Sequence, residues 1–288
     1  MRLPTTIKQE PRMQAQKQSP VWRKRLSQIE SPVDAIRLPD GTGEIPQDEE
    51  WCEVIVEGVP RRVRFHDYDK IYSIPGLYER LFCGKLRCRS PSRVAHLLAD
   101  VLSEREDDLQ DLRVLDLGAG NGMVGDELVR LGVEEIVGID IIEEAKEATL
   151  RDRPGVYRDY LVCDLTDLEE CEEKRLDNRG FNCLICVAAL GFDDIPPEAF
   201  VKALDIIETG GWVGFSIKEQ FLDAKGDTGF CGLIQQLAQG ELIRFEAYRR
   251  FRHRVSITGE ALYYVVVIAR KLREIPSHLL DHETAATG

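Results

Sequence analysis

The run Val114-Leu-Asp-Leu-Gly-Ala-Gly-Asn-Gly-Met-Val-Gly125 sets three alternating glycines, Gly118, Gly120 and Gly122, two residues behind a carboxylate, Asp116. Gly118 and Gly120 allow a sharp turn and a close approach of backbone to ligand that a Cβ would prevent. The turn joins an apolar strand to a helix whose apolar face is Val124, Leu128 and Leu131, so a ligand there meets a helix N-terminus at the carboxyl end of a sheet. Two further carboxylates follow at expected strand ends. Asp140 closes Val137-Gly-Ile-Asp140, 22 residues after Gly118, the separation that suits an acceptor for ribose hydroxyls. Asp164 closes Val162-Cys-Asp164, where it meets the amino group of a purine, with Leu165 or Ile141 against the ring, or caps the next helix.

A dinucleotide fingerprint reads G-x-G-x-x-G and presents its helix to a pyrophosphate, whereas here position 123 is Met and the glycines alternate. Asp116 would repel a pyrophosphate, but it can accept a hydrogen bond from the α-ammonium of a methionyl group, directly or through water. The expected ligand is therefore a nucleoside bearing a methionyl chain. Its contacts are expected from Tyr68, Asp116, Gly118, Ala119, Gly120, Asn121, Gly122, Met123, Asp140, Ile141, Asp164, Leu165 and Val187.

The elements that must position these residues form a regular series from Ser90. Ser90-Pro91-Ser92 starts a helix with Val94, Leu97, Leu98, Val101 and Leu102 at helical spacing. Strand-like runs follow at Leu112-Leu117, Glu135-Ile141, Tyr160-Cys163, Phe181-Val187 and Trp212-Ile217, each separated from the next by a helical stretch. Such alternation builds a mostly parallel sheet covered on both faces. The runs Leu242-Val255 and Ala261-Ala269, linked through Gly259, must be antiparallel, so the seven-stranded sheet is expected to end in a hairpin.

Upstream, residues 1–46 hold six prolines and clusters of Gln, Ser and Lys, and read as a disordered or loosely attached leader. Residues 47–89 read as an N-terminal β-hairpin, Trp51-Phe65, with Glu53 and Glu57 facing Arg62 and Arg64, and an aromatic lid segment, Tyr68 to Phe82, broken at Pro75-Gly76. The doubly wound α/β domain spans 90–273, and 274–288 is a tail.

Asp116-Gly122, Asp140, Asp164 and Phe181-Gly191 resemble successive motifs of the class I S-adenosylmethionine-dependent methyltransferases over about Tyr68 to Lys271. That resemblance implies the Rossmann-like fold of the class, S-adenosylmethionine as cofactor and no requirement for metal. More narrowly, Arg153-Pro-Gly-Val-Tyr157 and Ala189-Leu-Gly-Phe-Asp-Asp-Ile-Pro196 are similar to the methyltransferase-like proteins named after the Williams–Beuren syndrome region, which implies no substrate.

Methyl transfer from a sulfonium is an in-line displacement that needs an aligned nucleophile and, for an O–H or N–H acceptor, often a base. The segment after the fourth strand lacks the four-residue motif Asn/Asp-Pro-Pro-Tyr/Phe of enzymes that methylate amino groups of adenine or glutamine. Catalytic candidates are His66 and Tyr72 before the domain and Glu219, beside Lys218, after the fifth strand. Asp193 and Asp194 either bind a metal or cap the helix that starts near Pro196. His253, among Arg249, Arg250, Arg252 and Arg254, belongs to a basic strip that either attracts an acidic substrate or protects a sheet edge.

Composition agrees with a packed soluble domain: 288 residues, 43% hydrophobic and 31% charged. The net charge is −13, and the leader contributes +3 to it, so the folded part carries −16 and repels nucleic acid and anionic membrane. No signal peptide is recognisable in Met1 to Pro20, so the eight cysteines, including the Cys183-Leu-Ile-Cys186 pair, are expected as reduced thiols in a cytoplasmic protein. The expected acceptor is an oxygen or nitrogen of a small molecule, with a peptide or protein acceptor, or S-adenosylmethionine binding without turnover, as alternatives. The sequence leaves the oligomeric state open.

Overall fold

The computed structural model describes residues 21–39, 45–191, 194–221 and 229–280. Helix α1 (Val21–Leu26) precedes three strands, β1 (Val33–Arg37), β2 (Trp51–Val56) and β3 (Val59–Arg64), which form an antiparallel sheet in the order β1-β2-β3. Glu57 and Gly58 both take positive φ, 50° and 78°, the geometry of a tight two-residue hairpin turn. The expected hairpin is thus one strand larger, and the leader boundary at residue 46 does not hold for residues 21–39. The pattern failed because a bulge between Val33 and Ala35 breaks the alternation, leaving Val33 and Ile36 buried three apart. Prolines 32 and 39 flank β1 without excluding it. In the hairpin Glu53 does face Arg62, yet it pairs with Arg37 of β1, and Arg62 lies over the Trp51 ring.

Helix α2 (Tyr68–Ser73) stops before Pro75-Gly76, and a π-helical segment, Glu79–Lys85, follows it. Helix α3 (Ser90–Glu104) buries Val94, Leu97, Leu98, Val101 and Leu102, as its spacing predicts. The alternating series then runs β4 (Arg113–Leu117), α4 (Met123–Leu131), β5 (Glu135–Asp140), α5 (Glu143–Asp152), β6 (Asp159–Val162), α6 (Glu170–Asp177), β7 (Cys183–Leu190), α7 (Pro197–Ile206), β8 (Trp212–Lys218), α8 (Gly229–Gln239), β9 (Ile243–Val255), β10 (Ala261–Lys271) and α9 (Ser277–Leu280). The seven strands lie in the order β6-β5-β4-β7-β8-β10-β9, parallel from β6 through β8, with β10 antiparallel to both neighbours.

Alternate residues of the central strands feed two cores, one on each face. Val114, Cys183 and Ile185 pack with α3 and α4, whereas Leu115, Leu184 and Cys186 pack with α6, α7 and α8. Cys183 and Cys186 therefore point to opposite faces, and all eight cysteines are free thiols. The expected tail is partly built in, since Ile275 is buried and Leu279 and Leu280 pack against the core. Strand order reverses at β4, between β5 and β7, which opens a crevice at the carboxyl ends of those strands.

Candidate active site

The glycine turn lies in that crevice. Gly118, Gly120 and Gly122 have φ of 68°, 54° and 81°, a region that side chains rarely adopt. A Cβ on Gly118 would stand 2.8 Å from Ile195 and 3.1 Å from Ala189; one on Gly120 would stand 2.5 Å from the Tyr72 hydroxyl. The turn is pinned on both sides. Gly120 N–H donates to Asp140 Oδ2 at 2.9 Å, and the Gly120 carbonyl accepts from Thr149 Oγ1 at 2.9 Å and from the Tyr160 hydroxyl at 2.7 Å.

Asp116 is fully buried at the end of β4. Tyr157 donates to its Oδ2 at 2.7 Å, while Oδ1 has no hydrogen-bond partner among the described residues. Burial pushes its carboxyl up to about 7, against the opposing pull of the Tyr157 hydroxyl. Asp140 is half-buried, its Oδ1 accepts from Ile142 N–H, and burial raises its pKa as well. Ile141 beside it is 64% exposed. Asp164 accepts from the backbone and hydroxyl of Thr166, bonds that hold its pKa below the usual range, and Leu165 is buried. Val187 and Met123 are buried, the latter with its sulfur 3.7 Å from Cys83 Sγ.

The aromatic segment covers the turn. Tyr68 stacks on Tyr72 (ring centroids 5.9 Å), Tyr72 on Tyr78 (5.5 Å), and Tyr78 lies against Phe82 (4.7 Å). Below the stack, Glu79 Oε1 accepts from Arg153 at 2.6 Å and from the Asn121 side chain at 2.9 Å, and Arg153 donates to the Asn121 carbonyl at 3.0 Å. Asp126 of α4 pairs with Arg25 of α1 at 2.8 Å. Sequence reasoning did not assign Glu79 or Arg153 to the site. The sequence held no clear signal for Glu79, since the same segment also carries Asp69, Lys70 and Arg80.

A cavity of about 40 Å³ adjoins the stack, lined by His66, Tyr68, Tyr78, Ala188, Asp194 and Tyr264 among others. His66 Nδ1 lies 3.2 Å from Asp194 Oδ1. Ala188 takes φ 57°, where the register of β7 on β8 shifts, and its N–H donates to Ser216. Backbone strain and a register shift are thus concentrated at the strand end that walls the cavity. Asp194 does not cap α7, whose cap position is Pro196; Asp193 lies outside the described residues. Among the described residues no group of three or more His, Cys, Asp or Glu could hold a metal ion.

Of the remaining candidates, His253 and Arg254 line the same cavity as His66 and Asp194. Glu219, in the turn after β8, pairs with Arg250 of β9 at 2.7 Å. Lys218 is half-buried, and burial lowers its pKa. The basic strip is not continuous: Arg249 and Arg250 are exposed, but Arg254 is buried against Glu50 at 2.5 Å. His253 is buried, stacks on Tyr264 and is 2.5 Å from Ser90 Oγ; burial lowers its pKa well below the imidazole range.

A family model described as a methyltransferase domain matches residues 89–263. No curated protein matches the chain. Among solved structures, a Thermoplasma acidophilum protein is similar at 17% identity and a TM-score of 0.46, over 65% of this chain and 92% of that one. The N-methyltransferase NodS of Bradyrhizobium japonicum, in complex with S-adenosylhomocysteine, is similar at 14% identity and 0.46, over 63% and 86%. Magnesium protoporphyrin IX methyltransferase of Synechocystis, with bound S-adenosylmethionine, is similar at 15% identity and 0.43, over 63% and 79%.

Proposed function

The chain belongs to the methyltransferase domain family, and from that premise we propose that it transfers the methyl group of S-adenosylmethionine to an oxygen or nitrogen of a small molecule. The observation that carries the cofactor assignment is Asp116, a buried carboxylate at the glycine turn with one oxygen that has no partner among the described residues. A buried carboxylate without a cation is costly, and the ammonium of a methionyl chain supplies one. Asp140, half-buried at the next strand end, suits a ribose diol, and Asp164 with Ile141 and Leu165 suits adenine. The residues present thus fit the group. When bound, the cofactor supplies an electrophilic methyl on a positively charged sulfur.

The protein's own part is to orient and to manage a proton. The turn from Gly118 to Met123, with Ala119 and Asn121, forms the floor. Tyr68 and Tyr72 form the cover and exclude water, and Val187 contributes apolar wall. His66, held by Asp194, is the proton acceptor for the nucleophile, whereas burial keeps the phenol of Tyr72, the other candidate, protonated. Glu219 remains a weaker candidate because its carboxylate is engaged by Arg250. The small, aromatic-walled cavity supports an acceptor that presents one group at a time, and the acidic net charge of −13 argues against a nucleic acid substrate.

Free thiols at every cysteine support a reducing, cytoplasmic setting. Among the described residues no helix is long and apolar enough to cross a membrane. Arg153 donates to the Asn121 carbonyl and Tyr157 to Asp116, so both brace the turn that this reading gives to the cofactor. Metabolite profiling with isotope-labelled methyl donor, in cells with and without the gene, tests the acceptor class. A labelled small molecule that depends on the gene supports the proposal, and a labelled protein band in its place contradicts it.

A further inference from the structure

Tyr157 lies in the connection between α5 and β6, outside the glycine turn, yet its side chain is built into it. Its ring stands where Gly122 and Gly125 have no side chains: a Cβ would come within 3.2 Å of it at Gly122 and 2.8 Å at Gly125. Tyr160 meets its ring edge-on at 5.5 Å. The hydroxyl then reaches Asp116 Oδ2 at 2.7 Å.

The choice of donor matters. Tyr157 is neutral, so it fixes the carboxylate without cancelling its charge, as an arginine or lysine would. The buried cation nearby, Arg153, is committed to Glu79 and the Asn121 carbonyl. Asp116 is therefore left oriented and buried without a neutralising cation, and its Oδ1 has no partner among the described residues.

We propose that Tyr157 is a positioning residue for the methionyl half of the cofactor: it holds Asp116 so that Oδ1 receives the cofactor's α-ammonium group. The proposal rests on the S-adenosylmethionine reading above. By donating to the carboxylate, Tyr157 also favours its ionised form, against burial and against the nearby charge of Asp140. The other titratable groups that face Asp116 are Tyr160, Cys183 and Cys186, all of them neutral at pH 7 because burial raises their pKa values.

The test compares two thioether ligands on the full-length protein by calorimetry. S-adenosylhomocysteine carries the amino-acid chain; 5′-methylthioadenosine keeps adenine, ribose and sulfur but lacks it. Tyr157→Phe retains the ring that packs on the glycines. The variant should weaken S-adenosylhomocysteine binding about tenfold or more, and leave methylthioadenosine binding within about twofold. The loss should shrink as pH rises from about 6 to about 8.5, because Asp116 then ionises without help. Equal losses for both ligands would reduce Tyr157 to a structural role, and no loss for either would remove it from the site. If the wild-type protein binds neither ligand, the cofactor assignment itself fails, an outcome distinct from both.

Discussion

Glu79 and Arg153, separated by 74 positions in sequence, form a fully buried ion pair at 2.6 Å that also holds Asn121 of the glycine turn. The pair ties the aromatic cover to the floor of the site. A buried pair adds little net stability, but removing one partner leaves the other charge stranded. Arg153→Ala should lower the unfolding free energy by about 3–5 kcal/mol. Urea unfolding followed by circular dichroism measures this, and a loss below about 1 kcal/mol would be the value of an exposed pair instead.

Asp116 should oppose stability while serving binding. The folded protein keeps its proton up to about pH 7, well above the usual aspartate value, so the ligand-free fold loses stability as pH rises through that interval. Asp116→Asn removes this cost and keeps an oxygen for Tyr157. The variant should melt higher than wild type at pH 8, with the difference vanishing near pH 4, and should lose S-adenosylhomocysteine binding. A lower melting temperature at pH 8 would contradict the burial argument.

Asp140→Ala should weaken cofactor binding by about 1.5–3 kcal/mol, the cost of a lost charged acceptor, while the fold persists. Gly118→Val should be worse, because its side chain would collide with Ile195 and Ala189 at a φ of 68°. Calorimetry beside far-ultraviolet circular dichroism checks both. Normal binding by either variant would move the cofactor away from this turn.

His66 and Tyr72 separate proton removal from coverage. His66→Ala should reduce turnover about 10²- to 10⁴-fold with cofactor affinity unchanged, the range for loss of a general base. Tyr72→Phe should alter turnover little, because its hydroxyl rests on Gly120 and its ring supplies the cover. The readout is methyl transfer to the acceptor found by isotope labelling. The reverse ranking would contradict the assignment of His66 as the proton acceptor.

The sheet was readable because each buried strand of the α/β domain is a short apolar run followed by a turn. Strand ends predicted at Leu117 and Val187, for example, lie at Leu117 and Leu190. The terminal hairpin was readable because Gly259 leaves no room for a crossover. What was not readable depends on long-range partners. β1 is identified by its ladder to β2 and not by its own pattern, since a bulge hides the alternation. Asp194 read as a cap or a metal ligand because its neighbours in sequence suggest one, whereas His66, 128 positions away, takes its carboxylate. Glu79 and Arg153 likewise acquire meaning only when the aromatic segment packs onto the turn. The motif Asp116-Gly122 was informative because a tight turn, a close approach and a carboxylate are all local requirements.

Ligand choice tests the central claim most directly. Isothermal calorimetry of the full-length protein should show binding of S-adenosylmethionine and S-adenosylhomocysteine and none of NAD, because Asp116 opposes a pyrophosphate and welcomes an ammonium. NAD binding with no heat from either sulfur ligand would contradict the account.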